Sequence, residues 1–344
     1  MNRSRLWLLL VAVWAACAAD FERIDAHVHI LQYSPEYRRL LDEIHLRALN
    51  ISVVDRYAPG PQTVEAQNRL IRQTLRTSGG RLGWCSTFDP RGWQKPSFAS
   101  ETIALLGETF RQGAIAVKIW KDIGMDIRSA DGTYLMADDP ALRPVYQFLA
   151  LENKTLCAHL AEPDVAWQPL DPTGPHYGYY KANPRWHMFQ HPESPPKTAI
   201  LAARDRVLEQ NPGLRVVGCH LGSMEADVGA IALRLDRYPN FAVDTAGRIS
   251  DLMWQPRGKV RAFLIRYQDR VLYGTDKGLT LEADVKQIVA RMREVYARDW
   301  KYFATAEEID LEGRRVQGLA LPPEVLRKLF RENALRWVPG LKRP

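Results

Sequence analysis

The sequence predicts a single α/β domain folded as a (β/α)8 barrel, and three observations carry this expectation. From residue 22 onward, short apolar runs alternate with longer amphipathic ones in eight successive pairs, which implies a parallel sheet covered by helices. No proline-rich or Gly/Ser linker divides the pairs. No Gly-rich dinucleotide fingerprint follows the first run, so an open doubly wound sheet lacks its usual mark.

The first strand, RIDAHVHI, precedes the helical run PEYRRLLDEIHLRAL, which opens on proline. ISVVDRYAP precedes VEAQNRLIRQTLRT, and RLGWCSTFDP precedes SETIALLGETFRQG. AIAVKIW leads to PALRPVYQFLALEN, TLCAHLAEP to TAILAARDRVLEQNPG, and RVVGCHLGSM to ADVGAIALRLDRYPN. FAVDTAGRI leads to GKVRAFLIRYQDR, and VLYGTDKG to LEADVKQIVARMREVYARDW. A last amphipathic run, PPEVLRKLFRENALRW, is expected on the outside of the barrel. Two connections are longer than a turn. Residues 121–139 follow the fourth strand and hold a small hairpin around Asp131 and Gly132, while residues 162–196 follow the fifth and are rich in Trp, Tyr and His. Both leave the C-terminal ends of strands, where barrel enzymes build their sites.

Residues 1–19 read as a secretory signal peptide, with Arg3 and Arg5 ahead of an apolar core and small residues before a cut after Ala18 or Ala19. That core is shorter than the roughly 20 residues a spanning helix takes. The expectation is therefore export to the periplasm or beyond, with residues 20–344 as the working barrel and no stable membrane insertion. Lipidation at Cys17 is the lesser alternative, because a Trp stands where Leu usually begins the motif. The chain's formal charge of +7, less Arg3 and Arg5, leaves +5. This surplus is mild and no Lys/Arg block occurs, so the expected partner is a small molecule, weakly biased towards anions, and not a nucleic acid. Assembly into a homo-oligomer is left open. Cys85, Cys157 and Cys219 are odd in number and sit in apolar runs, which points to core packing over a disulfide framework.

The chemistry lies at strand ends. Side chains alternate between the faces of a strand, so Asp25, His27 and His29 are expected on the barrel axis and Ile24, Ala26, Val28 and Ile30 against the helices. Two imidazoles at i and i+2 reach one ion, since a neutral imidazole nitrogen is a good ligand for zinc. The fifth strand ends with His159, the sixth with His220 and the eighth with Asp276. His27, His29, His159 and Asp276 make a mixed nitrogen and oxygen shell suited to one divalent cation, with His220 beside it. Left without partners, so many buried titratable groups would cost on the order of several kcal/mol.

The series DAHVH, VKIW, AHLAEP, GCHLGS, YGTD and ENALRW resembles the amidohydrolase superfamily, in particular the amidohydrolase-2 branch that includes aminocarboxymuconate-semialdehyde decarboxylase and related hydrolases. The likeness runs over nearly the whole chain after the leader. It implies a TIM barrel with metal ligands His27, His29, His159 and Asp276. It also implies Asp276 as proton shuttle and His220 as the group that orients water or polarises the substrate. Binuclear members carry a carboxylated lysine at the end of the fourth strand, and Lys118 in AVKIW matches it. Lys118 is thus a candidate for bridging a second metal; otherwise it is structural or faces the substrate.

A zinc-activated water attacking an ester, lactone or amide carbonyl is the leading expectation. A decarboxylase acting on an aromatic or unsaturated carboxylic acid uses the same residues. A non-catalytic ligand-binding barrel is the third reading. Substrate recognition is expected from Trp167 and Tyr180 of the long loop, or these aromatics pack a lid or an interface. Arg248 is available to a carboxylate, and Glu162 and Asp244 stand at strand ends. His187 and His191 are expected on a surface loop, a second metal site being the alternative. His45 and His176 receive no role.

Overall fold

In the computed structural model, which describes residues 21–57, 60–311 and 313–341, nine parallel strands follow one another around a single sheet. They are β1 Arg23–Ile30, β2 Leu46–Ile51, β3 Leu82–Thr87, β4 Ala114–Ile119, β5 Thr155–Ala158, β6 Arg215–Gly218, β7 Phe241–Asp244, β8 Val271–Leu272 and β9 Lys277–Leu279. β8 pairs with β7, and β9 pairs with β1. These two are halves of the eighth strand that VLYGTDKG predicts. Between them, Ala26 N donates to Tyr273 O and Asp276 N to His27 O, both at 2.8 Å. Those bonds stitch the sheet shut, and the chain is a TIM barrel in one domain. The expected signal peptide, residues 1–19, lies outside the described residues, as does Cys17. Among the described residues, no helix is long and apolar enough to cross a membrane.

Among the described residues, the eight helices of nine residues or more pack around the sheet: α1 Pro35–Glu43, α2 Val64–Thr77, α3 Phe98–Arg111, α4 Arg143–Leu151, α5 Lys197–Gln210, α6 Val228–Arg237, α7 Arg257–Arg266 and α8 Val285–Ala304. Several start where an oxygen side chain accepts an otherwise orphaned N–H: Ser34 from Tyr37, Thr63 from Ala66, Asp227 from Gly229 and Asp284 from Gln287. The expected hairpin after β4 survives as a bridge between Arg128 and Tyr134. A two-stranded sheet, Glu308–Leu311 with Arg314–Gln317, was not legible in the sequence.

The second unit departs from expectation. The helical run ends at Glu43, His45 turns at φ 48°, and a wholly buried β2 begins at Leu46. Arg47 and Asn50 disguise this strand as part of an amphipathic helix. Asn50 belongs there because its amide pairs with both Ile30 N and Ile30 O at 2.8 Å, standing in for a backbone rung between β1 and β2.

The first strand also departs. Its register with β2 shifts between Asp25 and Val28, a β-bulge. Ile24 and Ala26 consequently join the barrel interior, in one cluster with Leu49, Cys85, Ala116, Cys157, Val217, Ala242 and Leu272, which together represent all eight strands. Asp25 is turned to the outside, where its carboxylate accepts from Thr275 Oγ1 at 2.6 Å and from Tyr296 Oη of α8 at 2.9 Å. Beyond the bulge, His27 and His29 face inward, while Val28 and Ile30 join the cluster between sheet and helices. Cys85, Cys157 and Cys219 are buried and unpaired among the described residues. The terminal helical segment, residues 323–337, is not confined to the outside. Trp337, Val338 and Leu341 belong to the interior cluster, with Trp337 Nε1 donating to Asp269 O at 2.9 Å, so the chain end plugs the N-terminal mouth of the barrel.

Candidate active site

Above the apolar floor, each strand contributes its next inward residue. Lys118, Cys219, Asp244 and His27 form a buried polar layer, and His29, His159, His220 and Asp276 line the open end. Asp244, at the end of β7, is the hub. Its Oδ2 accepts from His27 Nδ1 at 2.8 Å, and its Oδ1 from the backbone N–H of His220 at 2.7 Å and of Ala246 at 3.1 Å. Burial pushes its carboxyl up, but the charge and hydrogen bond of His27, with His220 and Lys118 nearby, outweigh burial and bring it down to about 2.

The hydrogen bonds fix which nitrogen of each imidazole carries the proton. His29 Nδ1 lies 2.9 Å from Ile51 O and His220 Nδ1 lies 2.8 Å from Ala246 O; a carbonyl only accepts, so both Nδ1 atoms donate. His27 Nδ1 donates to ionised Asp244. In the neutral rings, Nε2 is therefore the bare nitrogen on all three. Burial lowers the pKa of His27, and that of His159 and His220 well below the usual value, with neighbouring Lys118 adding to the effect. All three are neutral at pH 7.

Asp276 stands in the left-handed region at φ 61°, which Asp tolerates better than most residues. Its Oδ1 is 3.1 Å from His29 Nε2 and 3.4 Å from His27 Nε2. Burial raises its pKa, but His220, His29 and His27 hold the carboxyl well below the usual range. Its neighbour Gly247, at φ 62°, cannot carry a side chain comfortably, since a Cβ would meet Asp276 Oδ2 at 3.3 Å. The donor atoms of His27, His29 and Asp276 lie within 4.8 Å of one another, a spacing that suits a metal ion. With both Nδ1 protons committed elsewhere, the Nε2 lone pairs of the neutral rings and the carboxylate oxygen make a donor set that a cation would hold together. His159 is set apart from this trio, its ring centroid 4.1 Å from that of His220, and its buried Nε2 has no hydrogen-bond partner. An orphaned nitrogen of that kind costs about 1–3 kcal/mol unless a ligand takes it. The donor set fits a divalent ion.

His220 does not extend β6. It opens a turn in which His220, Leu221, Gly222 and Ser223 all have φ between 57° and 63°. Left-handed non-glycine residues cost roughly 1–2 kcal/mol each. The turn is held by Asp244, by Ser223 Oγ donating to Ala161 O at 3.1 Å, and by Arg204 Nη1 donating to Gly222 O at 2.6 Å.

Lys118 is buried with Nζ 3.0 Å from Cys219 Sγ and 3.5 Å from His27 Nε2. His27, Cys219 and Asp244 form a second group with ligand-like spacing, but the Lys118 ammonium already supplies a cation beside it.

The substrate candidates do not all reach the cavity. Asp244 is engaged in the three contacts above and is not among the residues lining the cavity. Trp167 packs within its own loop, Nε1 donating to Pro195 O at 3.4 Å. Tyr180 is buried, its Oη donating to Glu162 at 3.1 Å. Glu162 is buried against Lys121, and Arg248 backs it with Nη2 at 3.9 Å. The aromatics that do line the cavity of about 310 Å³ are Trp120 and Tyr179, together with Lys121 and Asp55. The signal for Trp120 and Lys121 was present, because they directly follow Ile119 at the C-terminal end of β4. His187 is not on the surface: it is buried, Nε2 donating to Gln168 O at 2.9 Å, and it forms no ligand group with His191 among the described residues. His176 pairs with Asp251 at 3.0 Å.

Comparison with known proteins agrees with this frame. The chain is similar to an uncharacterised TIM-barrel protein from Bordetella bronchiseptica, at TM-score 0.53 and 14% identity, over 94% of this chain and 100% of that one. It is similar to 5-carboxyvanillate decarboxylase from Novosphingobium aromaticivorans, in complex with manganese and a nitrobenzoic acid, at TM-score 0.51 and 14% identity over 93% and 97%. It is likewise similar to dihydroorotase from Campylobacter jejuni, at TM-score 0.51 and 11% identity over 95% and 86%. At such identities the likeness speaks for the fold. No curated protein matches the sequence. Residues 24–340 match the amidohydrolase family model, a span that holds every strand and every residue of the barrel mouth described above, and the chain belongs to that family.

Proposed function

We propose that this protein is a metal-dependent hydrolase that opens an ester, lactone or amide, with one zinc ion and with export as its route to its place of action. The observation that carries the reading is the meeting of His27 Nε2, His29 Nε2 and Asp276 Oδ1, with both Nδ1 atoms already committed elsewhere. His27, His29 and Asp276 would hold the ion, and the unpartnered His159 Nε2 is a third nitrogen, and a fourth donor, in the same cavity. A divalent ion there supplies a Lewis acid and brings the pKa of a coordinated water to about 7.

The chain's own groups do the rest. Asp276, ionised and part-exposed to the cavity, accepts the proton of the attacking water and returns it to the leaving group. His220 is neutral with its Nδ1 proton fixed on Ala246 O, so its Nε2 can only accept a hydrogen bond. That favours orienting a water over polarising a substrate carbonyl.

The test is turnover of a panel of aryl esters, lactones and amides by the purified protein, with and without chelator. Activity that is lost on chelation and restored by zinc is the expected result. Release of CO2 from aromatic acids with no ester turnover would replace the hydrolase reading with the carboxy-lyase one, and ligand binding without any turnover would favour a binding barrel.

A further inference from the structure

We propose that Lys121 is the anion-reading residue of this pocket, and that the substrate carries a carboxylate or equivalent oxyanion remote from the bond that reacts. The inference rests on the barrel mouth being the active site, as argued above, and adds the chemical class of what it takes.

Lys121 follows β4 by two residues. In sheet order, β4 stands across the barrel from the β8–β9 run that carries Asp276. Although only 2% exposed, Lys121 lines the same cavity as His29, His159, His220 and Asp276. Its ammonium donates to Glu162 and, at 2.6 Å, to Tyr179 Oη. An ammonium has three donors, so one is left for a guest. The rings of Trp186, Tyr179 and Trp120 stand 4.3, 5.1 and 5.4 Å from Nζ. These faces keep water away and leave the charge poorly screened.

Lys121 does not have its counter-charge to itself. Glu162 is a single carboxylate shared between Lys121 and Arg248, with Tyr180 Oη as its remaining partner. Arg248 Nε is buried and unpartnered. Of the nearby acids, Glu225 is paired with Lys197, and Asp251, hydrogen-bonded to His176, lies on the Arg248 side of the pair. Among the carboxylates lining the cavity, Asp276 belongs to the metal centre and only Asp55 remains. A guest anion therefore meets a buried ammonium with a spare donor, beside a carboxylate that Lys121 shares with Arg248.

The test uses the full metal-loaded chain and two probes of one shape, benzoate and benzamide, followed by the fluorescence of Trp120 and Trp186 beside Lys121. Wild type is expected to bind benzoate about tenfold or more tighter than benzamide, the scale of one charge-assisted hydrogen bond. Lys121→Gln loses that preference with benzamide affinity and metal content unchanged, and Lys121→Arg keeps it. Glu162→Gln removes the competing carboxylate and tightens benzoate several-fold, which a merely structural ion pair does not predict. No preference in wild type, a preference that persists in Lys121→Gln, or unchanged or weaker benzoate binding in Glu162→Gln overturns the proposal. A Lys121-dependent preference in a protein that hydrolyses nothing would remove the hydrolase reading and leave this one standing.

Discussion

His27 and Asp244, 217 residues apart in the chain, meet side chain to side chain at 2.8 Å, and the same carboxylate holds the backbone of the His220 turn. One buried anion thus sets the tautomer of a candidate ligand and the position of His220. Replacing it as Asp244→Asn keeps the shape and removes the charge. Metal affinity is expected to fall about 10- to 100-fold, the usual cost of losing a partner behind a ligating histidine. Competition with a calibrated chelator measures it, and unchanged affinity would show that the ring needs no such anchor.

The metal centre itself is addressed by His29→Ala and Asp276→Asn. Each is expected to lose bound metal by elemental analysis. Added zinc should also stop raising the melting temperature of the variants. In wild type, zinc at one hundred times its Kd contributes roughly 2.7 kcal/mol to stability. A zinc-dependent shift retained in both variants places the ion elsewhere.

The plug at the barrel floor makes a prediction about stability alone. Trp337 is 5% exposed and packs against inward residues of the strands. Trp337→Ala should cost about 3–5 kcal/mol, the range for removing a large buried ring. Urea denaturation reads the loss, and metal stoichiometry per folded molecule should be unchanged. A cost below about 0.5 kcal/mol, within the scatter for surface changes, would mean that the segment does not seal the interior.

Asp122, just beyond β4, gives a pH signature. Burial, aided by Asp126 and Asp89, raises its carboxyl to about 7 against the bonds that oppose it. The folded state then binds more protons than the unfolded one between pH 4 and 7, so this group's contribution to stability falls as pH rises through that window and is level above it. Asp122→Asn should match wild type near pH 4 and exceed it at pH 8 by roughly 1–3 kcal/mol. The readout is the difference between the two denaturation midpoints across pH, and a difference that grows towards acid would reverse the assignment.

The amino-acid sequence determined the number and order of the strand–helix units, because period-two and period-3.6 burial is a local property. It also placed His27, His29, His159, His220 and Asp276 at strand ends, since each interrupts an apolar run. It could not assign the face of Asp25. Alternation inverts with a single inserted residue, and the bulge after Asp25 appears only in the register against β2, a strand that begins some twenty positions later in the chain. It could not separate Asp244, an orienting anion, from a substrate ligand, because both are carboxylates at a strand end and only distant partners distinguish them.

The same holds for the aromatic loop. Composition announced rings near the mouth, yet Trp167 and Tyr180 turned away and Trp120 and Tyr179 took the cavity wall. Which side a ring faces is settled by packing against neighbours brought from other strands. Residue types and their spacing along the chain were a matter of sequence; the direction of each polar group, and hence its chemistry, was decided only when closure of the barrel gave it a partner.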